Sequence, residues 1–218
     1  MRSPDVCPIT MRRAHLNLRV VVCVFLGKRV LELGTGLGMP GLAAGALGAR
    51  EVWLTDHAII MAQANLQANF QEHERGRFHV HQLSWGNAAH IADARPPFEL
   101  LLGSDISYNA GDLTTLASTM AALSQPGSVV WWATADGNCN DASSVGGQFY
   151  ASLRKHGYRL TDMSSEPAVV AAVDDVSGWF SRSPLERLAQ YVVRDRRYFL
   201  GTKTISVTRM VMMDDQAL

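Results

Sequence analysis

The chain has 218 residues, 47% of them apolar, which suffices for one domain with a sizeable core and argues against wholesale disorder. Lys and Arg total 20 and Asp and Glu total 20, a formal charge of zero that demotes any role built on gripping nucleic-acid backbone. The longest apolar run, Val20 to Leu26, is seven residues long, far below the roughly 20 that cross a bilayer, so no membrane span is expected.

Along the chain, short β-rich runs alternate with helical stretches, the pattern of a parallel α/β sheet. Residues 28–33 (Lys-Arg-Val-Leu-Glu-Leu) read as the first strand, closed by glycines, and Pro40 opens a small apolar helix running to Leu47. Residues 51–55 form the second strand with Asp56 at its carboxyl end. A helix follows over 57–71, its apolar stripe expected at Ile60, Ala64 and Ala68. Phe78 to Leu83 is the third strand, ending in Ser84-Trp85-Gly86. Pro96-Pro97 break the chain before a fourth strand over 98–103 that ends at Asp105. A helix over 112–123, a turn at Pro126-Gly127, a fifth strand over 128–133, a helix over 149–156 and an extended stretch from Gly157 come next. The pattern from Met163 to Arg197 is unassigned, and 202–212 alternate as a final strand. With no repeat, low-complexity tract or linker, the expectation is one domain over 1–218, residues 1–27 being a short N-terminal segment without assigned structure.

Cys7, Cys23 and Cys139 are odd in number and lack paired spacing, so neither a disulfide framework nor a zinc site is expected. His79 and His81 alternate on one strand but lack a third ligand, and no metal is expected. Arg12 and Arg13 before the Val20–Leu26 run have the outline of a secretory leader, but no small-x-small cleavage site follows. A cytoplasmic place is expected, with a nuclear one compatible.

The strongest chemical signal is Glu32-Leu33-Gly34-Thr35-Gly36-Leu37-Gly38, between a strand and a helix. Glycines there permit a tight turn and let a ligand approach the backbone. Twenty residues beyond Gly36, Asp56 ends the next strand, where a carboxylate can accept both hydroxyl hydrogens of an adenosine ribose. Two ligands fit this pattern. Gly36-x-Gly38-x-x-Gly41 satisfies the dinucleotide fingerprint of NAD, while Glu32 within the strand and the Gly34-x-Gly36-x-Gly38 phase suit S-adenosylmethionine better. Asp56 has a second reading as the cap of the following helix, Trp85 as core packing, and Asp105 with Tyr108 as a turn beside a packed aromatic. Asn65 and Asn69, four apart, read as a polar helix face.

These residues, together with Leu54-Thr55-Asp56, Ser84-Trp85-Gly86 and Leu102-Gly103-Ser104-Asp105-Ile106-Ser107-Tyr108, resemble the class I, seven-β-strand methyltransferases. More narrowly the chain is similar to methyltransferase family 16, the protein lysine methyltransferases once labelled nicotinamide N-methyltransferase-like. The motifs occur in the family's order and cover residues 27–135. The resemblance implies a Rossmann-like α/β fold: a seven-stranded, mostly parallel sheet with helices on both faces and an antiparallel last strand. It also implies S-adenosyl-L-methionine as cofactor. Glu32, Gly34, Thr35, Gly36, Gly38 and Ser104 would line its methionine part and the loop, Asp56 would hold the ribose, and Trp85 would sit beside adenine. Asp105 and Tyr108 match the family's acidic-x-x-aromatic motif bordering the methyl donor and would be catalytic. No asparagine-proline-proline motif follows the fourth strand, which disfavours amide and adenine acceptors.

The implied function is N-methylation of a protein lysine by a monomer that engages neither nucleic acid nor membrane. An NAD(P)-dependent oxidoreductase is the first alternative, although Tyr150 is followed by Arg154 and Lys155 rather than by the Tyr-x-x-x-Lys spacing. A non-catalytic interaction module is the second, since residues 1–27 lack the family's tryptophan-proline turn. The charge is unevenly spread. Residues 1–30 hold six Lys or Arg against Asp5 alone. Residues 96–153 contain no Lys, Arg or His but carry Glu99, Asp105, Asp112, Asp136 and Asp141. An acidic substrate edge, suited to a basic or lysine-bearing polypeptide, is expected from that spread.

Overall fold

In the computed structural model, the described residues are 24–107, 112–134, 145–162 and 206–213. Seven strands form one sheet: β1 (Arg29–Leu33), β2 (Glu51–Asp56), β3 (Phe78–Gln82), β4 (Leu100–Ser104), β5 (Val129–Thr134), β6 (Tyr158–Asp162) and β7 (Ser206–Met212). Their spatial order is β3-β2-β1-β4-β5-β7-β6. The pairs from β3 through β5 are parallel, and β7 runs antiparallel to both β5 and β6. The helices are α1 (Met39–Ala46), α2 (Ile60–Asn69), α3 (Ala88–Asp93), α4 (Leu113–Leu123) and α5 (Val145–Lys155), with a 3-10 turn at Glu72–Arg77.

Period-2 alternation divides the strand residues between two apolar layers. Leu31, Leu33, Trp53, Leu101, Val130 and Trp132 face α4 and α5, where they meet Leu116, Met120, Phe149 and Leu153. Val30, Val52, Leu54, Leu100 and Leu102 face the other way, onto Leu42 and Ala44 of α1 and Ala62 and Leu66 of α2. Both faces of the central strands are thus covered, which is why their sequences read as unbroken apolar runs. Val24 and Phe25 pack against the second layer. Among the described residues no helix is long and apolar enough to cross a membrane.

The expected fold class, with its antiparallel last strand, is the one observed. Two local expectations differ. On α2 the buried positions are Ala62 and Leu66, while Ile60 is 78% exposed. The helix turns its face by two residues from the expected stripe because Ala62 and Leu66 are the positions that reach the second layer. Helix α3, unassigned from the sequence, is one short turn-rich element whose cap is Asn87: its side chain accepts from the N–H groups of Ala89 and His90. Cys7, Cys23, Cys139, Tyr108 and the unassigned stretch 163–197 lie outside the described residues. His79 and His81 do share a face, stacking on and edging the Trp53 ring with centroids 4.6 and 5.4 Å away. Among the described residues no cluster of His, Cys, Asp or Glu is arranged to hold a metal.

Candidate active site

The strand order reverses at β1: β2 and β3 extend the sheet to one side, and β4 lies on the other. Such a switch point opens a crevice beyond the carboxyl ends of the strands, where ligands bind in open α/β sheets. A cavity of about 400 Å3 lies there, lined by Gly34, Asp56, His57, Leu83, Ser84, Trp85, Ile106, Asp112 and Thr115. Its size suits a small organic ligand.

The glycine loop joining β1 to α1 is held from below by Glu32. That carboxyl is 2% exposed, and its Oε2 accepts from Thr35 Oγ1 at 2.6 Å and from the Gly41 N–H at 3.0 Å. Burial pushes its pKa up to about 7, with the two hydrogen bonds pulling the other way and the Asp56 charge adding to the rise. Glu32 and Thr35 therefore brace the loop from inside. Gly34, at φ +59, borders the cavity itself, and a Cβ there would stand 2.5 Å from Ile106 Cγ2. Only glycine lets β1 and the segment after β4 approach so closely. Gly38 is the residue before α1, left-handed at φ 78, with its N–H donating to Thr35 O at 2.6 Å. The loop is also tied to α2, since Asn65 Nδ2 donates to Leu37 O at 2.7 Å. That buttress was not legible in the asparagine spacing, because the partner is a backbone oxygen 28 residues away.

Asp56 closes the opposite wall. Its Oδ2 accepts from Gly36 N–H at 2.9 Å, and its Oδ1 accepts from Ala58 N–H at 3.2 Å. The exposed His57 brings Nδ1 to 2.7 Å of the same Oδ1. α2 starts only at Ile60, with no side-chain cap from Ile59, so Asp56 shapes the turn without capping the helix. Trp85 packs against the first apolar layer, as its core reading expects, and also lines the cavity.

Beyond β4 the chain turns sharply. Asp105 is exposed, adopts φ 53, and its N–H donates to Ala133 O at 2.8 Å, extending the β4–β5 pairing. Left-handed backbone is uncommon outside glycine, with Asp among the residues that tolerate it. Ser104, also exposed, precedes it and Ile106, a cavity residue, follows it. The structure thus gathers Gly34, Asp56 and Trp85 around the cavity, sets Glu32 and Thr35 beneath it, and places Ser104 and Asp105 on its β4 side. His57, Leu83 and Thr115 are lining residues that sequence reasoning gave no site role, while Ser84 and Ile106 were read only as parts of the family motifs and Asp112 only as part of the acidic edge. Most stand one to three residues past a strand end, and that position is the signal they offered.

Of the expected acidic edge, Asp136 and Asp141 lie outside the described residues, and one described member, Glu99, is displaced. Glu99 precedes β4 at its amino end, accepting from the Arg29 N–H at 2.9 Å and lying 3.6 Å from Arg50 Nη2. A residue at that end sits across the sheet from the cavity and pairs with Arg29 and Arg50.

This topology, with a glycine loop after β1 and a carboxylate ending β2 at the switch point, is that of the class I methyltransferases. Solved structures agree on the fold. A TehB-like SAM-dependent methyltransferase from Corynebacterium glutamicum aligns with TM-score 0.56 at 14% identity, over 90% of this chain and 86% of that one. An S-adenosylmethionine-dependent methyltransferase from Mesorhizobium loti aligns with TM-score 0.54 at 14% identity, over 91% and 99%. The lysine methyltransferase family model matches residues 23–144, more than half of the chain, and the protein belongs to that family. Among curated relatives it is 35% identical over 121 residues to the protein N-lysine methyltransferase METTL21A of Danio rerio, covering 51% of this chain and 55% of that protein. It is 33% identical over 110 residues to EEF1A lysine methyltransferase 3 of Mus musculus, covering 50% and 46%. To the histone-arginine methyltransferase METTL23 of Rattus norvegicus it is 30% identical over 117 residues, covering 51% and 50%. The chain spans about half the length of the curated relatives it matches.

Proposed function

We propose that this protein is an S-adenosylmethionine-dependent N-methyltransferase whose acceptor is a lysine side chain of a protein. The observation that carries the reading is the cavity at the switch point, bordered by Gly34, Asp56 and Trp85, in a chain of the lysine methyltransferase family. The residues present fit the cofactor. Gly34 gives the loop a bare backbone toward the cavity, and Trp85 supplies a flat apolar wall suited to adenine. Asp56 has the acceptor capacity a ribose diol needs: Oδ2 keeps a lone pair beyond its bond to Gly36, and Oδ1 gains one when the exposed His57 turns outward.

The chemistry supplied by bound S-adenosylmethionine is an electrophilic methyl group on sulfonium, so the protein's part is alignment and exclusion of water. Leu83 and Ile106 keep the cavity wall apolar. Asp105, exposed next to the cavity residue Ile106, would accept a hydrogen bond from the incoming amine and orient its lone pair toward the methyl group. Tyr108, from the family motif, would wall the lysine channel. The NAD alternative and the non-catalytic module have no support from the comparisons, whose relatives are named as methyltransferases.

Titration calorimetry tests the cofactor half directly. S-Adenosylmethionine is expected to bind and NAD not to bind. Asp56→Ala should weaken S-adenosylmethionine by about tenfold or more, since hydrogen bonds to a charged group contribute about 1.5–3 kcal/mol. Asp105→Ala should leave that affinity intact and lower turnover. NAD binding without S-adenosylmethionine binding would overturn the assignment; unchanged affinity in Asp56→Ala would remove the ribose role, and full turnover in Asp105→Ala the catalytic one.

A further inference from the structure

Trp85 sits in the turn between β3 and α3, and the N–H groups on either side of it are each held by a side chain from elsewhere. The Ser84 N–H donates to His90 Nδ1 at 3.1 Å. The Gly86 N–H donates to Thr119 Oγ1 at 2.8 Å. We infer that His90 and Thr119, neither of which lines the cavity, are positioning residues that hold Trp85 and Ser84 at its wall. The inference rests on the reading of that cavity as the cofactor site.

Each pin is itself oriented. A backbone N–H on Nδ1 requires that nitrogen to carry its lone pair, which puts the His90 proton on Nε2. The His90 main chain is fixed from two sides. Its N–H donates to the Asn87 side chain at 3.1 Å, and its carbonyl lies 3.0 Å from His81 Nε2. The His81 ring stands edge-on to the His90 ring with centroids 6.3 Å apart. Through Trp53, which His81 also meets edge-on, this group is anchored in β2. On the other side the Thr119 hydroxyl donates to Thr115 O at 2.8 Å, which leaves its lone pairs for Gly86. Thr119 is fully buried, and Thr115, one turn earlier on α4, lines the cavity. Asn87 N–H closes the turn on Ser84 O at 3.1 Å. A wall built on a short turn has little stiffness of its own, so its precision comes from the helices that grip it on both sides.

Calorimetric affinity for S-adenosylmethionine, with the thermal midpoint measured alongside, separates positioning from plain stability. His90→Leu keeps bulk but removes the acceptor; His90→Asn offers Oδ1 close to where Nδ1 stood. Thr119→Val and Thr119→Ser form the equivalent pair. The expected result is a three- to tenfold loss of affinity in His90→Leu and Thr119→Val, recovered to within about twofold in His90→Asn and Thr119→Ser. If His90→Leu does not fold, the Thr119 pair carries the comparison. Parent-like affinity in the Leu and Val variants, or equal losses in the Asn and Ser variants, would overturn the inference. A parent protein that binds NAD and no S-adenosylmethionine would instead overturn the site reading beneath it.

Discussion

Burial sets Glu32 apart from an ordinary carboxylate: its pKa stands near 7 against an ordinary 4.5. The folded state therefore holds the proton more tightly than the unfolded chain. The stability this contributes is fully present below about pH 4.5 and is lost as pH rises through about 7. Glu32→Gln keeps an oxygen acceptor for Thr35 and Gly41 while removing the titration. The parent's unfolding free energy should fall relative to Glu32→Gln across that window, by a few kcal/mol at most. Parallel pH profiles from denaturant titrations would contradict this account of Glu32. At this scale the sequence marked the glycine loop and the acid twenty residues on, because a tight turn and a close backbone approach demand glycine. It did not show that Glu32 and Thr35 serve the loop from beneath. The same letters describe a residue facing a ligand and one facing its own backbone, and only the path of the chain distinguishes them.

At the level of elements, alternation and strand-end punctuation made β1 through β5 and α1, α4 and α5 legible to within a few residues. Apolar runs of that length, bounded by Gly, Pro or Asp, leave little choice in a parallel sheet. Helix α2 was harder: its weakly amphipathic sequence offers Ile60 as readily as Ala62, and packing against α1 and β2 decides between them. Helix α3 was hidden because a single short helix carries too few apolar positions for periodicity, and its Asn87 cap is a local signal within a loop. The register between β4 and β5 adds a constraint that no single element reveals. Gly103 is paired with Trp132, and the Trp132 ring lies where a Gly103 side chain would project. Gly103→Ala should thus force the ring out of place and destabilise the protein by about 1–3 kcal/mol, as overpacking a filled core does. A thermal midpoint equal to the parent's would show that this face of the sheet is less tightly filled than the structure indicates.

Across the whole molecule, neutrality conceals a sorting of charge by sheet edge. At the amino ends of the strands, cations and anions are paired: Arg29 with Glu51 at 2.6 Å and Arg50 with Glu99 at 3.6 Å. At the carboxyl ends Asp56 and Asp112 border the cavity and Asp105 stands exposed beside it. The Glu99 correction sharpens that contrast, since an acid assigned to the substrate edge belongs to the self-paired one. An edge of this kind supports the proposed acceptor, a cationic side chain on a protein, through local attraction. The relatives include named lysine and arginine methyltransferases, which makes the acceptor atom the quantity to measure. The direct measurement is incubation of the protein with S-adenosylmethionine carrying a labelled methyl group and a cell lysate, followed by mass-spectrometric location of the label. The account predicts labelled methyl on a lysine Nζ of a protein, lost in Asp105→Ala; label on arginine, on nucleic acid or on a small molecule, or on nothing at all, would contradict it.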